Sequence, residues 1–411
     1  SLRPDLRLLV MSATIDGARV AALLDDAPVI DSPGRTFPVE TLHVEPEPLQ
    51  RLEDQVAGAT LAALREHDGS VLVFLPGQGE ITRTAERLVT RLPANTDLAP
   101  LYGQLSPTEQ DRAIQPAPEG RRKIVLATSI AETSLTIEGV RIVIDSGFRR
   151  VPVYEPATGM TSLATRRVSR AGADQRRGRA GRTSPGVCIR LWHQGQSAAL
   201  EPFETPEILA ADLSGLLLDL ASWGVTDPKA LAFLDPPPAP AWAEAKALLS
   251  RLDAIDQAGH LTPAGRALAK LPLHPRLAHM VVAGAEDGDA QTAAELAVLI
   301  GERGLGGDDT DLSRRLERFR MDRSRRAEDA RSLARRWTKL AGGSTGEDLS
   351  PGHHLARAFP DRVAQSAGAR GRFRLANGRQ AQLDETHALA GAPFIVVADV
   401  TGSATQGRIR S

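Results

Sequence analysis

The sequence predicts an α/β protein: a parallel-sheet domain, then a helical region with a winged-helix element, then a partial α/β C-terminal region. Three observations predict it. Between Leu52 and Leu191 short apolar runs alternate with segments of helical period, the pattern of a parallel sheet covered by helices on both faces. After Pro206 the chain turns mainly helical, with connectors such as DPPPAP and GHLTPAG. Beyond Ser350 strand-like runs return. A chain of 411 residues also exceeds one ordinary core, so several domains are expected.

The opening SLRPDLRLLVMSAT reads as a turn and a buried strand at Leu6–Met11, so the chain is expected to begin inside a strand-and-loop unit whose front is missing. Sheet strands are expected at Val71–Leu75, Leu98–Leu101, Ile124–Ala127, Val140–Asp145 and Val187–Leu191, with helices at Glu80–Leu92 and Pro107–Ile114. Between Phe148 and Thr165 two strand-like runs flank Pro156–Gly159, which predicts an inserted hairpin. Asp253–Ala267 reads as the wing of a winged helix, and a second helical block runs from Pro275 to Leu340. Strands are expected at Phe373–Ala376, Arg379–Leu383 and Phe394–Val400, and Gly407–Ser411 is expected to end the chain without a closing element.

Net charge is −1, but all except five of the 50 basic residues are arginine. The single cysteine, Cys188, excludes an internal disulfide and sits in an apolar run, where packing outweighs reactivity. No apolar run approaches a membrane span. A cytoplasmic chain with no membrane partner is expected.

Chemistry concentrates in QRRGRAGR, Gln175–Arg182. Arginines this close repel unless an anion sits among them, and guanidinium binds phosphate bidentately. Gln175, Arg179 and Arg182 fall at i, i+4 and i+7, one helical face, with Arg176 off it. Gly178 and Gly181 are expected to allow close backbone approach. An arginine finger on a γ-phosphate is one reading; a solvated basic patch or RNA-binding tail is the other. The strand Ile124–Ala127 runs into the hydroxyl-rich loop ATSIAETSLT, Ala127–Thr136, at the strand's carboxyl end, where open α/β sheets bind ligands. Near the start, Ser12-Ala13-Thr14 follows the first strand candidate.

Arg314–Lys339 carries ten arginines and one lysine against four acidic residues, which suits tracking a nucleic-acid backbone. Spacings Arg318–Asp322 and Arg325–Asp329 predict that part of this charge is paired along the helix. His274, His279, His353 and His354 lack metal-ligand spacing, so no metal site is expected in this chain.

SAT, ATSIAETSLT and QRRGRAGR, in that order, resemble motifs III, V and VI of superfamily 2 helicases of the DEAH/RHA group. Val73–Gly77 with Glu80-Ile81 looks like motif IV, and Leu101–Pro107 with Gln110 like the segment beside it. PEILAADLSGLLLDLASWGVTDPKALAFLDPPP resembles the winged-helix entry of these enzymes, and HHLARAFPDRVAQ, FRLANGRQAQL and APFIVVADV are similar to the C-terminal region of the bacterial HrpB branch. The resemblance covers nearly the whole chain.

It implies an N-terminally truncated ATP-dependent RNA helicase. The expected domains are 1–40, the tail of a first RecA-like domain; 41–203, a second RecA-like domain; 204–270, a winged helix; 271–345, a helical ratchet-like domain; and 346–411, a truncated C-terminal region. Gln175, Arg179 and Arg182 are implied as the catalytic face toward the γ-phosphate and its attacking water. Ser134, Thr136 and Glu138 would bind or sense nucleotide, Thr128 and Ser129 would touch the nucleic acid, and Ser12 and Thr14 would couple the domains. The Phe148–Thr165 hairpin matches the strand-separating wedge. Implied cofactors are ATP and Mg²⁺, and the implied partner is single-stranded RNA or structured RNA with an overhang, DNA being a further option, bound by a monomer. Ser129, Glu138 and Arg177 depart from the usual Asn, Asp and Ala, and Ile114 stands where an adenine-stacking aromatic is frequent.

No glycine is followed by lysine, so the phosphate-cradling G-x-x-x-x-G-K-S/T loop is absent from this sequence, with the hydroxyl that would hold Mg²⁺. The Mg²⁺ ligands are therefore expected in the first RecA-like domain, and the chain alone is expected to be inactive. Asp384–His387 spells DETH but follows no apolar strand and comes after SAT rather than before it; a polar turn is expected. A non-catalytic RNA-binding adaptor and a DNA translocase are the alternative readings.

Overall fold

The computed structural model describes residues 5–11, 16–31, 37–47, 49–103, 105–132, 137–155, 160–302, 304–343, 349–402 and 407–411. Ser1–Pro152 with Leu163–Pro206 forms one unit, and Val153–Ser162 with Glu207–Ser411 forms another.

The first unit opens with α1 (Gly17–Leu23), whose N-cap Asp16 accepts a hydrogen bond from the Arg19 N–H. The expected strand at Leu6–Met11 does not form: these residues lie exposed and pair with no strand among the described residues. Apolar sequence alone does not make a strand, because the ladder supplies the hydrogen bonds.

In order follow β1 (Val39–His43), α2 (Leu52–Glu66), β2 (Ser70–Phe74), α3 (Gln78–Val89), β3 (Thr96–Leu101), α4 (Pro107–Ile114), β4 (Arg122–Ala127), β5 (Val140–Asp145), β6 (Phe148–Glu155), β7 (Met160–Arg167), α5 (Arg170–Gly178) and β8 (Gly186–Arg190). Six of these strands form one parallel sheet in the order β1-β8-β5-β2-β4-β3. The central strands sort their side chains by alternation. Val71, Val73, Ile124 and Ile142 pack under α2 and α3; Leu72, Phe74, Val125 and Val143 pack with Ala113 of α4 and Ala180. Both faces are covered, so the strands read as continuous apolar runs. Cys188 is fully buried in β8, and burial pushes its thiol up to about 12. α4 starts with a reciprocal capping box, Ser106 with Glu109. β6 and β7 form the expected hairpin as a separate two-stranded sheet; its turn, 156–159, lies outside the described residues.

The second unit takes Val153–Ser162 from the β6–β7 hairpin and, beyond Glu207, contains α6 (Ser214–Ser222), α7 (Ala239–Arg251) and α8 (Pro263–Leu268). A single antiparallel bridge, Ile255 to Leu261, joins the residues between α7 and α8, a wing at its shortest. Gly265 lets α8 close on it: a Cβ there would stand 1.9 Å from the Ala254 carbonyl oxygen. Then come α9 (Pro275–Glu286), α10 (Ala290–Gly301), α11 (Leu312–Met321), α12 (Arg325–Leu340) and α13 (Pro351–Ala358). Leu249, Leu268, Met280, Leu296 and Phe319 meet in one helical core.

The last region is β9 (Val363–Ser366), β10 (Arg372–Leu375), β11 (Gln380–Gln382), β12 (Phe394–Val396), β13 (Val400–Gly402) and β14 (Gly407–Ile409), ordered β12-β9-β10-β11-β14-β13. Strands β12 and β13 lie at opposite ends of that order, yet only residues 397–399 separate them, so the sheet curls back on itself. The expectation of no closing element at Gly407–Ser411 is corrected: β14 pairs with both β11 and β13, and the Ser411 carbonyl accepts from the Ala398 N–H at 2.7 Å. Three-residue strands carry too little alternation to be read beforehand.

Candidate functional site

QRRGRAGR does not run as one helix. α5 ends at Gly178 and a 3₁₀ turn takes over at Arg179–Gly181. The run expected as one regular helix is therefore corrected at Gly178, where α-helix gives way to the 3₁₀ turn. In a 3₁₀ turn side chains three apart eclipse, which sets Arg179 and Arg182 side by side. They line one crevice with Leu72, Ile137 and Val140. Arg179 is 6 % exposed and Arg182 is exposed. Burial, with the Arg182 charge adding to it and Glu132 opposing, pushes the Arg179 guanidinium down to about 10. An anion between the two would reverse that push, so a phosphate fits this pair electrostatically. Gln175, on α5, is half-buried.

The other two arginines serve the fold. Arg176 has a fully buried side chain. Its Nη1 donates to Asp145 Oδ1 at 2.7 Å and to the Phe148 carbonyl at 3.2 Å, its Nε donates to Glu132 Oε1 at 2.7 Å, and its guanidinium lies 4.9 Å from the Phe74 ring centre. Burial alone would lower its pKa, but Asp145 and Glu132 outweigh it and hold the group above its ordinary value. Arg177 donates to Thr41 Oγ1 at 2.9 Å and to the Val39 carbonyl at 3.0 Å, fastening α5 to β1. Of the two glycines, Gly181 makes the expected close approach, since a Cβ would stand 2.6 Å from the Phe37 carbonyl oxygen; Gly178 has nothing within 4 Å.

Thr128 follows β4 and is half-buried, and Ser129 is exposed. They open a 3₁₀ turn, Ser129–Ala131, in which the Ala131 N–H reaches the Thr128 carbonyl and the Glu132 N–H the Ser129 carbonyl. The Glu132 carbonyl accepts from Arg179 Nη2, so this loop and the arginine turn meet. Glu138 is exposed in the turn before β5. Ser134, Thr136, Ser12, Thr14 and Gln104 lie outside the described residues. Sequence reasoning passed over Glu132 and the burial of Arg176; a carboxylate inside the hydroxyl-rich loop after β4 was the signal, because it needs its own cation.

The hairpin base is fixed by neighbouring ion pairs. Arg150 of β6 meets Glu80, in the first turn of α3, at 3.2 Å, and Arg149 pairs with Glu204. Arg167 of β7 stacks 4.9 Å from the Phe148 ring centre.

In the second unit the expected helical pair Arg318–Asp322 is corrected: Arg318 turns to Asp309 at 3.3 Å. Arg325–Asp329 is likewise not an ion pair among the described residues. Arg315 and Arg331 are consumed by backbone carbonyls, and Arg320 by Glu295. Arg323, Arg325, Arg335, Arg336 and Lys339 remain exposed, without an ion pair among the described residues. Among those residues no group of three or more His, Cys, Asp or Glu side chains could hold a metal ion. His353 and His354 pair with Asp287 and Asp289, His274 with Asp212. Asp384 accepts from the Thr386 N–H and hydroxyl, which makes the DETH run the expected polar turn. No helix of the described residues is long and apolar enough to cross a membrane.

The helicase conserved C-terminal domain matches residues 50–184, and the winged-helix helicase-associated domain HA2 matches residues 247–273. The chain is 44 % identical over 396 residues to the ATP-dependent RNA helicase HrpB of Escherichia coli, covering 96 % of this chain and 48 % of that protein. It is 38 % identical to the fission yeast (Schizosaccharomyces pombe) pre-mRNA-splicing factor ATP-dependent RNA helicase prp22, over 72 % of this chain and 26 % of that one. Two crystal structures of Escherichia coli HrpB superpose at TM-scores of 0.88 and 0.90, each 42 % identical, covering all of this chain and 50 % and 52 % of theirs. The chain thus spans about half the length or less of the curated relatives it matches. By motifs, sequence and fold it belongs to the DEAH/RHA helicase family, on its HrpB branch.

Proposed function

We propose that this chain is the motor-closing half of an ATP-dependent RNA helicase. The observation that carries the reading is Arg179 beside Arg182 on one crevice, with Arg179 bonded to the loop that follows β4. In this reading Arg179 and Arg182 contact the γ-phosphate, and Gln175 orients the attacking water. Ser134, Thr136 and Glu138 attend the nucleotide, Ser12 and Thr14 couple the lobes, and Thr128 and Ser129 hold the RNA backbone. ATP bound with Mg²⁺ supplies the phosphoanhydride whose hydrolysis drives the cycle. The guanidinium pair offsets charge developing on the phosphoryl oxygens. The domains run as 1–40, 41–203, 204–270, 271–345 and 346–411, a first RecA-like tail, a second RecA-like domain, a winged helix, a ratchet-like block and a C-terminal region. The hairpin β6–β7 acts as the wedge.

Phosphate release measured with and without single-stranded RNA tests this. The full-length protein is expected to be RNA-stimulated, and the 411-residue chain alone to release none. Stimulation by DNA strands in place of RNA would point to a DNA translocase. RNA binding without hydrolysis by the full-length protein would sink the enzyme reading in favour of an adaptor.

A further inference from the structure

Glu132 holds two things at once. Its carboxylate grips Arg176, at 2.7 Å from Nε and 2.6 Å from Nη2, and its carbonyl accepts from Arg179. Arg176 cannot follow a moving loop, because Asp145, the Phe148 carbonyl and the Phe74 ring fix it to the ends of β5 and β2. On its other side the Glu132 N–H closes the turn on the Ser129 carbonyl, next to the Ala131 N–H that bonds the Thr128 carbonyl. A displacement at Thr128 therefore reaches the Glu132 carbonyl through a turn with no slack, pivoting about a side chain anchored in the sheet. Arg149, Arg176 and Arg179 are the charges that interact with this carboxylate, and Asp145 shares Arg176 with it.

We infer that Glu132 is a positioning residue that couples nucleic-acid binding at Thr128 to the placement of Arg179. The inference rests on the reading above that these loops serve RNA and nucleotide. Removing the carboxylate leaves the turn and the arginines in place but frees the pivot, so RNA binding no longer sets Arg179. A purely structural Glu132, there only to neutralise Arg176, would behave differently: its loss would lower rates with and without RNA in proportion to the folded fraction.

The test is ATP hydrolysis by the full-length protein, with and without saturating single-stranded RNA, for wild type, Glu132→Gln, Glu132→Ala and Arg179→Ala, with RNA affinity and melting temperature measured on each. The ratio of the two rates is expected to fall roughly tenfold in Glu132→Ala and less in Glu132→Gln, within the range that broken couplings reach, while RNA affinity holds. If Glu132→Ala does not fold, Glu132→Gln carries the test. An unchanged ratio, or both rates falling together, overturns the inference. Absent RNA-stimulated hydrolysis in wild type, or full activity in Arg179→Ala, instead overturns the underlying reading.

Discussion

Arg176 is the residue whose role the sequence hid. Four arginines in one segment suggested one anion, whereas Arg176 finds its anions inside the protein, in Asp145 and Glu132. Its position off the predicted face was legible; its burial was not, because burial depends on β5 and the β4 loop arriving from elsewhere in the chain. Removing one partner of a buried ion pair strands the other charge, so Arg176→Ala should cost about 3–5 kcal/mol. Urea unfolding of the 411-residue chain measures it, and a loss under about 1 kcal/mol would contradict the assigned role. A second residue-scale prediction concerns acid. Burial would raise the Asp212 carboxyl, but the His274 ring and the Ser214 hydroxyl and N–H outweigh it and hold it at about 2. A depressed folded-state pKa means stability present above the unfolded value near 4 and lost as pH falls toward 2. Across that window Asp212 should contribute roughly 2 kcal/mol, and Asp212→Asn should flatten the pH dependence of the denaturation midpoint. An equally steep wild-type and variant curve would sink this.

At the scale of elements, QRRGRAGR shows how a change of helix type makes a site. Residues three apart are neighbours on an α-helix and eclipse in a 3₁₀ turn, so the change of helix type at Arg179 draws Arg182 more closely into line with it. Gly181 permits that turn to press on the segment before β1, and Gly178 does not share the role. Gly181→Ala should therefore destabilise by about 1–3 kcal/mol through overpacking, whereas Gly178→Ala should be neutral or stabilise by up to about 1 kcal/mol. Thermal denaturation of the two variants checks it, and equal effects would contradict the geometry. The central strands β2, β4, β5 and β8 were legible because they are buried on both faces and read as unbroken apolar runs. β1, with Glu40, Thr41 and His43, carries no such run, and β9 and β14 are too short to show a period. Leu6–Met11 had the composition of a strand but finds no ladder among the described residues.

For the whole molecule, charge is distributed by use rather than by count. Of the basic block Arg314–Lys339, only Arg323, Arg325, Arg335, Arg336 and Lys339 are both exposed and without an ion pair among the described residues. Replacing Arg335, Arg336 and Lys339 together by alanine should weaken single-stranded RNA binding and reduce the slope of log affinity against log salt by about 2; an unchanged slope would place the RNA elsewhere. The central claim is that Arg179 and Arg182 serve a phosphate while Arg176 and Arg177 serve the fold. The measurement that tests it most directly is RNA-stimulated ATP hydrolysis, paired with melting temperature, for alanine variants at each of the four positions in the full-length protein. Arg179→Ala and Arg182→Ala should lose hydrolysis by about 10³- to 10⁵-fold with little change in melting, while Arg176→Ala should lose stability. Near wild-type hydrolysis in Arg179→Ala, at unchanged stability, would contradict the account.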